Sequence, residues 1–163
     1  MNNVLNIKIL SGIPASGKST WAKNYILNNK NTVRINRDDL RFILFNGVFT
    51  DGNESFVNKS KLSLIKTSME FDRNLILDDT HCYNDYLVFL IDYIRDSSIE
   101  LNKGIFIELL DFNVDINICI ERNSKRDKIL NNNILYHMYK SKKEIIIEKL
   151  NIDKYIKMSD TGH

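Results

Sequence analysis

The sequence predicts an α/β fold in which a central parallel sheet of about four strands carries helices on both faces. Three observations lead there. Short β-branched runs alternate with longer segments of helical periodicity along the chain. A glycine-rich turn, Gly12 to Ser19, joins the first strand to the first helix. Three predicted strands end in residues able to do chemistry: Ser11-Gly12, Asn36-Arg37-Asp38 and Asp78-Asp79-Thr80. Ligands of open parallel sheets bind at the carboxyl ends of the strands.

The elements follow in order. Residues 5–13 read as a strand ending in a glycine turn. Residues 18–28 are helical, with Trp21 and Tyr25 one turn apart. Residues 32–36 are a short β-branched strand. Residues 38–45 form a short helix with Asp38 and Asp39 in its first turn, where the helix dipole favours acids. Residues 46–53, with two glycines, read as a loop. A long helix over 54–72 places Leu62, Ile65 and Met69 on one face. Residues 74–80 are a buried strand ending in acids, and 84–97 a helix with Leu87, Ile91 and Ile94 inward. Residues 105–112 are the fourth strand. Helices over 114–124 and 133–150 follow, the second with Leu135, Met138, Ile145 and Ile146 inward.

The chain of 163 residues is about one domain long, and no repeat or linker divides residues 1–163. A 43% hydrophobic, 27% charged composition is that of an ordinary soluble globular protein and excludes a disordered or collagen-like chain. No apolar run is long enough for a membrane span, and no secretory leader is visible. Cys82 and Cys119 form no metal-ligand spacing and suit a reducing compartment. A cytoplasmic location is expected, that of the host if the source is viral. Charge is unevenly placed: +5 over residues 1–41, −8 over 42–121 and +5 over 122–163. Two basic ends could converge on one anionic ligand, although chance clustering on a solvated surface gives the same numbers.

Gly12-Ile13-Pro14-Ala15-Ser16-Gly17-Lys18-Ser19 is a complete G-x-x-x-x-G-K-[ST] phosphate loop between a strand and a helix. Its glycines let consecutive N–H groups point inward as an anion nest, and the helix N-terminus adds partial positive charge. Gly12, Ala15, Ser16, Gly17, Lys18, Ser19 and Thr20 are therefore the candidate ATP-binding residues. Lys18 can reach the β- and γ-phosphates as a point charge with no core contact, and the Ser19 hydroxyl can coordinate Mg²⁺. The Asn-Lys-x-Asp element of GTPase switches is absent, and Asp78-Asp79 lacks the water-polarising Glu of motor ATPases. A short chain with an early phosphate loop fits a phosphotransferase.

Asn36-Arg37-Asp38-Asp39-Leu40-Arg41 lies just past the second strand. A carboxylate there can accept the proton of an attacking hydroxyl. Arg41 shares a helix face with Asp38 and could fork onto an acceptor phosphate. The same residues also read as a helix start, with Asp as N-cap and Arg in a surface ion pair.

Together these elements resemble the kinase domain of the bacteriophage 5′-hydroxyl polynucleotide kinase, a P-loop kinase fold. The matching stretches are GIPASGKSTW (12–21), INRDDLR (35–41), ILDDT (76–80), ERNSKRD (121–127) and LYHMYKSK (135–142), in the family's order. The resemblance implies that Asp38 is the general base and Arg41 contacts the phosphate beside the accepting hydroxyl. It implies that Asp79 belongs to the acceptor site and that Arg122 and Arg126, in a lid, serve the donor phosphates. Lys18 and Arg126 would then share charge stabilisation of the transferring group. Asp78 and His81 depart from the family pattern, and a lone histidine reads as a satisfied turn residue. No phosphatase activity is implied, because the chain ends before such a domain could begin. The expected function is ATP- and Mg²⁺-dependent transfer to the 5′-hydroxyl end of DNA or RNA, away from any membrane. Its rivals are a small-molecule kinase of the gluconate or nucleoside-monophosphate type and a non-catalytic nucleotide switch.

Overall fold

The computed structural model describes residues 4–158. In chain order the elements are β1 (Leu5–Ser11), α1 (Lys18–Asn28), β2 (Thr32–Ile35), α2 (Arg37–Phe45), α3 (Asp51–Glu70), β3 (Asn74–Leu77) and α4 (Asn84–Glu100). They continue with β4 (Ile105–Phe112), α5 (Ile116–Ser124), α6 (Asn132–Lys143), a 3₁₀ turn (Ile147–Lys149) and β5 (Lys154–Met158). The strands form one parallel sheet in the order β2-β3-β1-β4-β5.

Alternation along each strand assigns side chains to two faces. Leu5, Ile7, Ile9, Leu75, Leu77, Ile107 and Leu109 meet Ile65 and Met69 of α3 and Leu87, Leu90, Ile91 and Ile94 of α4. Leu10, Ile76, Leu110 and Phe112 meet Ala22 of α1, with Trp21 and Tyr25 stacked alongside. The central strands are buried on both faces, which is why they read as almost continuous apolar runs. At the carboxyl end, Ile13, Cys82, Val114, Cys119 and Leu135 bind α5 and α6 to the sheet.

The expected parallel sheet with helices on both faces is observed, with differences in detail. β5 is a fifth strand that no sequence signal marked. Its five residues include two lysines, and it is defined only by pairing with Glu108 to Phe112 of β4. Helix α3 starts three residues before the expected position, inside the supposed loop. Thr50 caps it by accepting from the Asn53 N–H at 3.1 Å, and Asp51 and Glu54 suit its first turn. The expected helix over 133–150 stops at Lys143. The β-branched run Ile145-Ile146-Ile147 follows it, non-helical at Ile145, extended at Ile146 and entering the 3₁₀ turn at Ile147, with Ile145 and Ile147 on the core and Ile146 exposed.

β1 lies between β3 and β4, so the loops after β1 and β3 are neighbours. The Gly12 N–H donates to the Thr80 carbonyl at 2.9 Å. The chain crosses to one side of β1 to build β2 and β3 and to the other for β4 and β5. That switch point opens the crevice that holds the site.

Ile91 is fully buried at the contact of α4 with the sheet. Ile91→Ala should lower unfolding free energy by about 2–5 kcal/mol, read from urea denaturation, because it leaves a cavity between two rigid layers.

Candidate active site

The phosphate loop folds as its residue types require. Gly17 has φ 91°, in the left-handed region that favours glycine, and Ala15 adopts φ 65°. A Cβ on Gly12 would meet Ser16 Oγ at 2.7 Å and the backbone oxygen of Phe112 at 3.0 Å. Lys18 opens α1 but does not project into solvent. Its ammonium donates to the Ile13 carbonyl at 2.9 Å and to Ser16 Oγ at 3.3 Å, and the residue is buried. This corrects the expectation of a lysine without core contact: the loop wraps its own cation. Burial holds the Lys18 pKa below the ordinary lysine value.

Asp78 and Asp79, at the end of β3, are both buried and face different partners. Asp78 accepts from Ser19 Oγ at 3.1 Å and from Arg34 Nε at 2.7 Å. Burial raises its pKa, partly offset by Arg34. A hydroxyl and a carboxylate side by side are oxygen donors of the kind a hard divalent cation takes. The family resemblance gave Asp78 no role, and strand-end position alone could not separate it from Asp79. Its signal lies in the parallel register that sets β3 beside β1 and so the Asp78 carboxylate beside α1.

Asp79 accepts from the Arg37 N–H at 2.8 Å and from Lys61 Nζ at 2.5 Å. Burial alone would raise its pKa, but Lys61, His81 and Arg37 hold it well below the usual carboxylate range. Lys61 is a fully buried cation of α3. It also lies 3.1 Å from His81 Nε2 and donates to the Tyr86 hydroxyl at 3.2 Å. His81 is the satisfied turn residue its sequence suggested, at φ 42° with Nδ1 2.7 Å from the Leu10 carbonyl. Burial first, and the Lys61 charge second, lower its pKa from 6.5 to about 3.

The start of α2 forms the facing wall. Its cap is Asn36, whose side chain accepts from the Asp39 N–H at 2.9 Å, so Asp38 is not the capping residue. Asp38 sits in the first turn with an exposed carboxylate, ion-paired to Arg41 one turn later. Arg41 is itself gripped by Glu54 of α3, with NH2 donating to Oε2 at 2.8 Å. Hydrogen bonds donated to Glu54, then to Asp38, raise its already high pKa further.

These groups line one cleft of about 1060 Å³ at the carboxyl edge of the sheet. Lys18, Ser19, Asp78 and Asp79 reach it from α1 and the sheet edge, Asp38 and Arg41 from α2, Arg122 from the last turn of α5, and Arg126 and Lys128 from the segment after α5. The two basic ends of the chain therefore do converge on one cavity. Gly12 stands behind the loop and shapes it from the rear.

The family described as AAA domain matches residues 7–134. A curated relative, the L-seryl-tRNA(Sec) kinase of Methanococcus maripaludis, is 26% identical over 135 residues, covering 80% of this chain. The chain spans half the length of that relative. Among solved structures, a chain of the Pnkp1/Rnl/Hen1 RNA repair complex matches with a TM-score of 0.71 and 21% identity. That match covers 88% of this chain and 46% of the other. A fungal RNA kinase matches with a TM-score of 0.69 and 13% identity over 100% of this chain and 78% of its own. Among the described residues, no helix is long and apolar enough to cross a membrane.

Two outcomes follow from the buried network. Asp79→Asn removes the counter-charge of a fully buried ammonium and should cost about 3–5 kcal/mol of stability in chemical denaturation. The second concerns pH. Between the ordinary value of 6.5 and about 3, the unfolded chain binds a proton on His81 that the native chain refuses. Its contribution is complete above the upper value and is lost as pH falls. Stability should drop by about 2 kcal/mol from pH 7 to pH 5 through this group. His81→Asn, tolerant of the left-handed backbone, should flatten that profile in denaturation measured at each pH.

Proposed function

This chain belongs to the AAA-domain family, and from that premise and its P-loop kinase fold we propose that it transfers the γ-phosphate of ATP to the 5′-hydroxyl end of a nucleic acid. One observation carries the reading. The Asp38–Arg41 pair lies on the wall of the same cleft that holds the phosphate loop, with the Asp38 carboxylate open to it. A base beside an anion-binding guanidinium suits a hydroxyl that carries a phosphate close by. The relative from Methanococcus maripaludis is named for a tRNA acceptor, which is consistent with an acceptor borne on RNA.

In this reading ATP lays its phosphates on the N–H groups of residues 15–20, and Lys18 turns from its loop contacts to the β- and γ-oxygens. The hydroxyl and carboxylate oxygens of Ser19 and Asp78 fit Mg²⁺, which when bound neutralises charge on those phosphates. Arg41 orients the acceptor through its first phosphate, and Asp79 fixes the α2 start through the Arg37 N–H. As the 5′-oxygen bonds to the γ-phosphorus, its proton passes to Asp38 and the bond to the ADP oxygen breaks, the electron pair leaving with ADP. Arg122 and Arg126 supply cationic donors to the transferring group and the remaining phosphates. The catalysis is positioning and electrostatics. Binding is mostly to phosphates, so affinity should be salt-dependent.

Incubation with labelled ATP, Mg²⁺ and either a 5′-hydroxyl oligonucleotide, its 5′-phosphorylated form, gluconate or a nucleoside monophosphate tests the acceptor. Label should enter the first alone. Label in a small molecule, or none in any acceptor, would remove the reading. Asp38→Asn keeps shape and leaves the Asn36 cap untouched. It should lower kcat by at least ~10²-fold with ATP affinity nearly unchanged, measured by single turnover and nucleotide titration.

A further inference from the structure

The turn between α2 and α3 exposes more aromatic surface than its packing explains. Phe42 is 65% exposed and Phe49 69% exposed, and both line the cleft that holds Asp38 and Arg41. Isolated exposed apolar side chains are ordinary. Two phenylalanines on the wall of a charged cleft are not, because each leaves most of its surface in water.

The turn is built to hold Phe49 where it is. Asn46 and Gly47 adopt φ 50° and 81° and reverse the chain. The Gly47 N–H donates to the Arg41 carbonyl at 3.2 Å, and the Val48 N–H to the Phe45 carbonyl at 3.0 Å. The chain then enters α3 through the Thr50 cap, one residue beyond Phe49. A hydrophobic residue before a cap commonly packs against one inside the helix, four positions past the cap. Here that position is Glu54, which is occupied with Arg41. Phe49 meets the other side of that guanidinium, whose carbon lies 5.4 Å from the ring centroid. Carboxylate, guanidinium and aromatic ring thus follow one another along one wall as Asp38, Arg41 and Phe49.

We infer that Phe49, assisted by Phe42, is the stacking platform for the unpaired nucleobase at the acceptor's 5′ end. The inference rests on the nucleic-acid kinase reading. A nucleotide is an anion joined to a flat apolar ring, and this wall offers a cation bonded to the cleft edge of an aromatic face. Arg41, held by Glu54, lies over the ring, and the exposed remainder of the aromatic surface is left to a base. Every base has a π-face, so such a platform is tolerant of sequence and selects an end whose base is free of its partner.

The test is steady-state transfer from ATP to two 5′-hydroxyl oligonucleotides that differ only in the 5′-terminal nucleotide, intact in one and abasic in the other. Wild type should prefer the intact acceptor in kcat/KM by roughly 5–150-fold, the worth of one base on one aromatic ring. In Phe49→Ala that preference should collapse toward one through a rise in KM for the intact acceptor, while Phe49→Trp should keep or enlarge it. The ring is solvent-exposed, so both variants should melt with wild type. Wild-type transfer with the same intact-to-abasic preference in Phe49→Ala would overturn the platform and leave the kinase reading standing. Absence of transfer from wild type to either oligonucleotide would remove both. A dimer in sedimentation that Phe49→Ala dissolves, with acceptor preference unchanged, would give the patch to a second copy of the chain and overturn the inference equally.

Discussion

Two adjacent buried carboxylates, Asp78 and Asp79, set the arrangement of everything around the cleft. Neither can stay ionised in the interior without a cation, and two together repel. The chain meets this by sending each to different partners. Asp78 takes Arg34 from β2 and Ser19 from α1. Asp79 takes Lys61 from α3 and the first N–H of α2. One dipeptide therefore pins the phosphate-loop helix, the edge strand and both helices of the facing wall. Loss of the Asp79 charge would leave the buried Lys61 ammonium without its carboxylate beneath the site, whereas Arg34 would keep Asp39 if Asp78 were lost.

The same logic governs the lysines. Lys61 is buried for good, satisfied by Asp79, Tyr86 and a His81 whose pKa is too low to add a competing charge. Lys18 is buried provisionally, bonded to the Ile13 carbonyl and Ser16 within its own loop. Those contacts are neutral and weak beside a charge-assisted bond to phosphate. The two buried lysines differ in their partners: Lys61 meets a carboxylate, whereas Lys18 meets only neutral oxygens at hydrogen-bond distance.

The opposite wall uses restraint of another sort. Arg41 is gripped by Glu54 and Asp38 and covered by Phe49, so its long side chain has surrendered its rotamer freedom in advance. A guanidinium held this way binds a phosphate with less ordering left to do. The exposure of Asp38 beside it leaves a carboxylate open to the cleft. The basic ends of the chain, separated by a strongly acidic middle, meet across this cavity because the sheet order brings β1 between β3 and β4.

The parallel sheet, the phosphate loop and the pairing of Asp38 with Arg41 are legible in the residue pattern alone. These are local: two-residue and 3.6-residue periods, a glycine pattern, and a spacing of three on one helix face. Arg122 and Arg126 are marked by the family resemblance, through a basic stretch whose position in the chain carries no geometry. Only the tertiary structure distinguished Asp78 from Asp79, since both end the same strand and only register decides which faces Ser19 and which Lys61. It alone exposed Lys61, Arg34 and Glu54, because each looks like an ordinary surface charge until its partner, between 13 and 44 residues away, is seen. β5 belongs with them: a five-residue edge strand becomes a strand through the neighbour it pairs with, and pairing between distant segments leaves no period in the sequence.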